Sequence, residues 1–143
     1  MKRTVVLAGL ALLLLAFVSS ANAESGRSLF GLRSFVGLWE GIDPVDGGDA
    51  LRSITCATDR ICTLALTDSV ITLCGGGPAF AGGTGGLDGD QLVFPEVVLT
   101  CPDGTEVELA ISYERDALNR TLVETVVVGD GALPNIVFHK ISR

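Results

Sequence analysis

From residue 36 onward the chain alternates short apolar runs with turns built from Gly, Asp and Pro. The apolar runs mark nine candidate strands: Val36–Ile42, Ala50–Cys56, Ile61–Thr67, Val70–Cys74, Gln91–Phe94, Val97–Cys101, Glu106–Glu114, Thr121–Val128 and Asn135–Ile141. The seventh is the clearest. Val107, Leu109, Ile111 and Tyr113 fall on one face, and Glu106, Glu108, Ala110 and Ser112 on the other. A period of two fits a half-buried strand and no helix. Turn signals separate the runs at Asp46-Gly47-Gly48, Asp88-Gly89, Asp103-Gly104 and Asp130-Gly131. No window carries an apolar stripe of helical period, apart from a short turn around Leu29 to Val36. Strands at this spacing predict an all-β antiparallel meander that closes into a small barrel, with a β-sandwich as the alternative. Closure is preferred because it leaves no exposed sheet edge. The barrel domain is expected over residues 35–143, preceded by a flexible segment over 24–34.

The first two dozen residues have another logic. Lys2 and Arg3 precede an apolar run from Val5 to Val18, and Ala21-Asn22-Ala23 forms an A-x-A cleavage signal before Glu24. That is the layout of a signal peptide over residues 1–23. The apolar run falls short of the ~20 residues a membrane span needs. No later stretch is long and apolar enough either, so no membrane span is expected. The high hydrophobic share, 48%, and the mean hydropathy of +0.49 are swollen by this leader. No cysteine follows the cleavage site, which argues against a lipid anchor. The expected location is secreted and extracellular, or periplasmic if the source is Gram-negative.

The whole chain carries a net charge of −7, more negative still once Lys2 and Arg3 leave. An acidic surface without a Lys/Arg cluster repels phosphate backbones and anionic membranes, so no nucleic-acid partner is expected.

Cys56, Cys62, Cys74 and Cys101 all lie in the exported part. An even number in an oxidising compartment reads as two disulfides, with three possible pairings. The gaps of five, eleven and twenty-six residues lack the paired spacing of a zinc site. Hairpin geometry favours one pairing. If Cys56 faces Cys62, the same register sets Ile54 opposite Leu64 and Arg52 opposite Leu66, and Ala57–Ile61 makes the connection. Cys74 and Cys101 then join each other across the Gly-rich centre of the chain.

At Phe35-Val36-Gly37-Leu38-Trp39 the chain resembles the first strand of lipocalin-like (calycin-type) barrels, where a Gly-x-Trp sets Trp at the closed end. The resemblance implies a late basic residue over that ring. Lys140 or Arg143, after Val137-Phe138-His139, is the residue the resemblance implies for that place, through a cation–π contact. The helix that usually follows the lipocalin barrel is missing from the sequence. Small secreted barrel inhibitors of bacterial metalloproteases are similar at the same level, with an early Trp and a cysteine within a strand such as Ile61-Cys62-Thr63-Leu64.

Candidate chemistry is sparse. His139 is the only histidine, alternates with Val137 and Ile141, and has no Ser-centred nucleophile elbow to serve. Asp43, Asp46 and Asp49 lie in one Pro/Gly loop. They form a speculative site for a hard cation, although a solvated turn explains the loop equally well. Gly85 to Leu92 superficially matches one calcium-binding nonapeptide, but such repeats work only when stacked. Gly75-Gly76-Gly77 and Gly82-Gly83 lack a following Lys-Ser/Thr, so they are read as a mobile loop or a sharply bent strand. Asn119-Arg120-Thr121 fits an N-glycosylation sequon at a turn. No catalytic residue and no cofactor is expected. The functional expectation is a non-enzymatic exported binding module with a small apolar ligand in its barrel or a protein partner on its rim. The alternative is a protease-inhibitor-like barrel acting through Glu24–Ser34 or the Asp43–Asp49 loop. An enzyme built on carboxylates ranks last, and would need acidic groups converging in a cleft.

Overall fold

The computed structural model describes residues 31–57 and 60–142. The strands are β1 (Gly37–Ile42), β2 (Asp49–Cys56), β3 (Cys62–Ile71), β4 (Gly77–Asp88), β5 (Gln91–Thr100), β6 (Glu106–Asp116), β7 (Thr121–Val128), β8 (Gly131–Ala132) and β9 (Ile136–Ser142). Each of β1 to β6 pairs with the next by an antiparallel ladder, β6 pairs with β7, and β9 bridges β7 back to β1. The result is a closed eight-stranded barrel, in which the two-residue β8 pairs with the upper part of the same β7 edge that β9 takes lower down. The preference for a barrel over a sandwich holds. The predicted hairpin register also holds, with Cys56 opposite Cys62, Ile54 opposite Leu64 and Arg52 opposite Leu66. Cys56–Cys62 and Cys74–Cys101 are both bonded, and no described cysteine is free.

Several strand limits differ from those expected. Val70–Cys74 is not a strand of its own: β3 continues to Ile71, and Thr72–Cys74 forms a 3₁₀ turn capped by the left-handed Gly75. Gln91–Phe94 and Val97–Cys101 are two halves of β5, offset by a bulge at Pro95 and Glu96. Pro95 has no N–H to give to a ladder, which is why the run reads as broken and why a bulge is tolerated there.

The Gly-rich stretch takes the second of its two expected forms. Gly77–Asp88 is the longest strand, and its ladder with β5 shifts between Gly83 and Gly86. A Cβ on Gly85 would lie 2.0 Å from the Val93 carbonyl oxygen, and one on Gly83 2.7 Å from that of Glu96. Glycine is there because the neighbouring backbone leaves no room for a side chain.

The N-terminal boundary also moves. Leu32–Ser34 forms a 3₁₀ turn and Leu32 is buried in the core, so the end of the segment read as flexible is packed against the barrel. The stretch expected to be a signal peptide, residues 1–23, and most of that segment lie outside the described residues.

Successive strands run in opposite directions, which gives the barrel two distinct ends. The lower end holds the start of β1, the β2–β3, β4–β5 and β6–β7 turns, and the Cys56–Cys62 bond. The upper end holds the 43–48 and 72–76 connections, the 101–105 turn, the 129–135 segment, and the Cys74–Cys101 bond. Trp39, Phe35, Phe94, Tyr113, Ile54 and Leu92 are fully buried and form the main aromatic and aliphatic packing. No described helix is long and apolar enough to cross a membrane.

Candidate functional site

The upper half of the barrel is not filled. A cavity of about 270 Å³ opens among the upper-end loops. Leu66, Leu99, Leu109, Ile111, Val126 and Ile136 form its apolar wall, while Asp43, Val45, Leu73, Leu133 and Pro134 stand at the mouth. Inward positions on strands close to the upper end supply the wall, because alternate side chains in a barrel face its axis.

The cavity floor is ionic. Arg52 on β2, 2% exposed, lies between Asp68 on β3 and Glu124 on β7. Its Nε donates to Glu124 Oε2 at 2.6 Å and its Nη2 to Glu124 Oε1 at 2.8 Å, a two-pronged pair. Nη1 donates to Asp68 Oδ1 and to the Leu51 carbonyl at 2.9 Å, and Nη2 also reaches Asp68 Oδ2 at 3.2 Å. Tyr113 on β6 donates its hydroxyl to Glu124 Oε2 at 2.6 Å. The Arg52 guanidinium also stacks over the Phe138 ring at 4.8 Å. No buried side-chain polar atom among the described residues lacks a hydrogen-bond partner.

Burial and charge pull against each other in this cluster. Burial is the largest influence on the Arg52 cation and opposes it, but the charge and hydrogen bonds of Glu124, with Tyr113 and Asp68, together hold the guanidinium pKa well above its ordinary value. Burial pushes the Tyr113 hydroxyl well up, and the charge of Glu124 adds to the effect. Burial also raises the Asp68 carboxyl. Its bonds to Arg52 oppose that shift, while the charges of Glu124 and Asp43 reinforce it.

The residues singled out from sequence fall in different places. Trp39 seals the lower end, with its Nε1 donating to the Phe35 carbonyl at 2.8 Å. Lys140 Nζ lies 5.0 Å from the centre of the Trp39 ring and donates to the Val36 carbonyl. Arg143 is outside the described residues, and a cation not anticipated, Arg115, stands 5.1 Å from the same ring. Asp43, Asp46 and Asp49 do not converge, and no cluster of three or more Asp, Glu, His or Cys side chains placed to hold a metal occurs among the described residues. Asp43 Oδ1 accepts from the Val45 N–H at 2.7 Å and Asp46 Oδ1 from the Gly48 N–H at 2.9 Å, so both carboxylates brace their own turn. Only Asp43 lines the cavity. His139 is on the outside of β9, opposite Glu40 and Thr121. Asn119 sits exposed in the β6–β7 turn and gives its side-chain amide to Asp116 Oδ2 at 2.6 Å.

The ionic floor was missed, although the pattern contains it. Along β2 the inward set is Ala50, Arg52 and Ile54; along β3 it is Cys62, Leu64, Leu66 and Asp68; along β7 it is Leu122, Glu124 and Val126. A charge in the apolar phase of a strand is the signal, and it occurs on three strands of one barrel with opposite signs. Register then sets Asp68 beside Arg52, since Ala50 faces Asp68 and Arg52 faces Leu66.

No protein-family model matches the chain, and no curated protein sequence matches it. Among solved structures, one that superposes is a point mutant of the fluorescent protein UnaG. It is 14% identical, covers 78% of this chain and 99% of its own, and has a TM-score of 0.47. At that level it carries no argument about family or ligand.

Proposed function

We propose that this is a secreted, non-enzymatic carrier of the lipocalin-like kind that holds a small, mostly apolar molecule in the upper half of its barrel. The observation that carries the reading is the 270 Å³ cavity, with aliphatic walls, one mouth and a few polar groups gathered on its floor. Binding sites have that composition. The volume is nearly twice the ~150 Å³ that suffices for benzene, so the cargo is a body of about ten heavy atoms. The leader at residues 1–23 and the two disulfides support export. The Gly37-Leu38-Trp39 pattern, with Lys140 over the ring, supports the lipocalin-like assignment.

Asp68 and Glu124 do converge, as an enzyme built on carboxylates would require. Both are clamped by a single guanidinium, and the cavity wall offers no Ser, Cys, His or Lys to act as nucleophile or base. The geometry is therefore read as a binding floor. Solvent extraction and mass spectrometry of the purified mature protein test the proposal. A small molecule should be recovered from the wild type and lost from Leu133→Trp, which plugs the mouth, with the melting temperature held. A wild type that releases nothing, and that binds no small apolar probe in the cavity, would defeat it.

A further inference from the structure

We infer that the polar end of the cargo is a hydrogen-bond donor, an ammonium in the strongest case, and that the cavity rejects carboxylates despite the arginine on its floor. The inference rests on the carrier reading above and deepens it by naming the ligand class.

The argument is an inventory of donors and acceptors. Among the lining residues, only Arg52 and Thr72 have side chains that donate. A guanidinium has five N–H groups, and all five of Arg52 are engaged: two by Glu124, two by Asp68 and one by the Leu51 carbonyl. Thr72 gives its hydroxyl proton to Asp46 Oδ2 at 3.3 Å, turned towards the loop. An incoming carboxylate would find no side-chain donor to meet it without breaking a buried ion pair.

Acceptors are another matter. Each carboxylate oxygen has room for more than one hydrogen bond, and Asp68 spends its two oxygens on Arg52 alone. Asp43, at the mouth, presents a further carboxylate. Two carboxylates face one guanidinium across the floor, so the excess charge is negative. An ammonium approaching Asp68 gains attraction in a poorly solvated site, whereas an anion meets repulsion there. A neutral hydroxyl or amide N–H also fits, with less gain.

A matched series separates this from the carrier reading: hexylamine, hexan-1-ol and hexanoate, titrated at neutral pH into wild-type protein. Binding is followed by NMR at the methyl groups of Leu66, Leu109 and Val126. Hexylammonium should bind at least tenfold more tightly than hexanoate, with hexan-1-ol between them. Asp68→Asn should reduce that preference to threefold or less. If the variant does not fold, the loss is sought in the wild type by acidification as a fall in the preference for hexylammonium over hexan-1-ol, the two compounds whose charge does not change as Asp68 is neutralised. Hexanoate binding as tightly as hexylammonium, or an amine preference unchanged by both treatments, overturns the inference and leaves the carrier intact. Pocket methyls that respond to none of the three compounds overturn both.

Discussion

At the scale of single residues, the cluster around Arg52 holds as a complete set. Taking ions out of water carries a penalty that their mutual attraction must offset, and removing one partner leaves the others buried and uncompensated. Arg52→Met strands Glu124, which is fully buried. A loss of about 3–5 kcal/mol is expected in urea unfolding. The triple variant Arg52→Met/Asp68→Leu/Glu124→Leu should recover most of it, because an apolar set leaves no ion uncompensated. Asp68 adds a pH dependence. The charged groups around it are Arg52, Glu124 and Asp43, and its carboxyl is raised above the ordinary 3.8. Between that value and the higher native one, the folded protein holds more protons than the unfolded chain. Stability from this group is thus fully present below the unfolded pKa and lost as pH rises through the native one. Wild type should gain on Asp68→Asn as the solution is acidified through that window, measured by urea midpoints. An aspartate that burdens the fold at neutral pH is more simply explained by the cavity it faces than by packing.

At the scale of strands, β4 depends on its neighbours more than on its own composition. Gly85→Ala would press a methyl into the Val93 carbonyl and the Phe94 ring. Overpacking of this kind costs about 1–3 kcal/mol or more, readable as a lower urea midpoint. Gly82→Ala, whose nearest contact is the Leu64 carbonyl at 3.4 Å, should cost clearly less. The same strand shows where the sequence was legible. β6 follows from alternation alone, since its inward side is Val, Leu, Ile and Tyr, and the β2–β3 hairpin follows from its cysteine pair and the register that pair sets. β4 was read only as loop or bent strand, because glycines carry no side chains to alternate. The ionic floor escaped for a related reason. Arg52, Asp68 and Glu124 each stand in the apolar phase of their own strand, but that they meet one another follows only from the register of the closed ring.

For the whole molecule, the two disulfides divide the work. In the chain-entropy description, closing the 27-residue separation of Cys74–Cys101 is worth about 3.5 kcal/mol and the 6-residue separation of Cys56–Cys62 about 2 kcal/mol. Paired Cys→Ser variants should rank accordingly in thermal unfolding. They should also differ in binding: Cys74 and Cys101 brace the rim around the cavity, so their loss should weaken hexylamine binding, while loss of the lower bond should leave it nearly unchanged.

The chain contains a single indole, Trp39, shut in at the pole opposite the cavity beneath two cations. Its ultraviolet emission is therefore a lamp in the basement. It should change sharply when the whole ring melts and stay almost constant when cargo enters upstairs, so a flat fluorescence trace from this protein is no sign of an empty house.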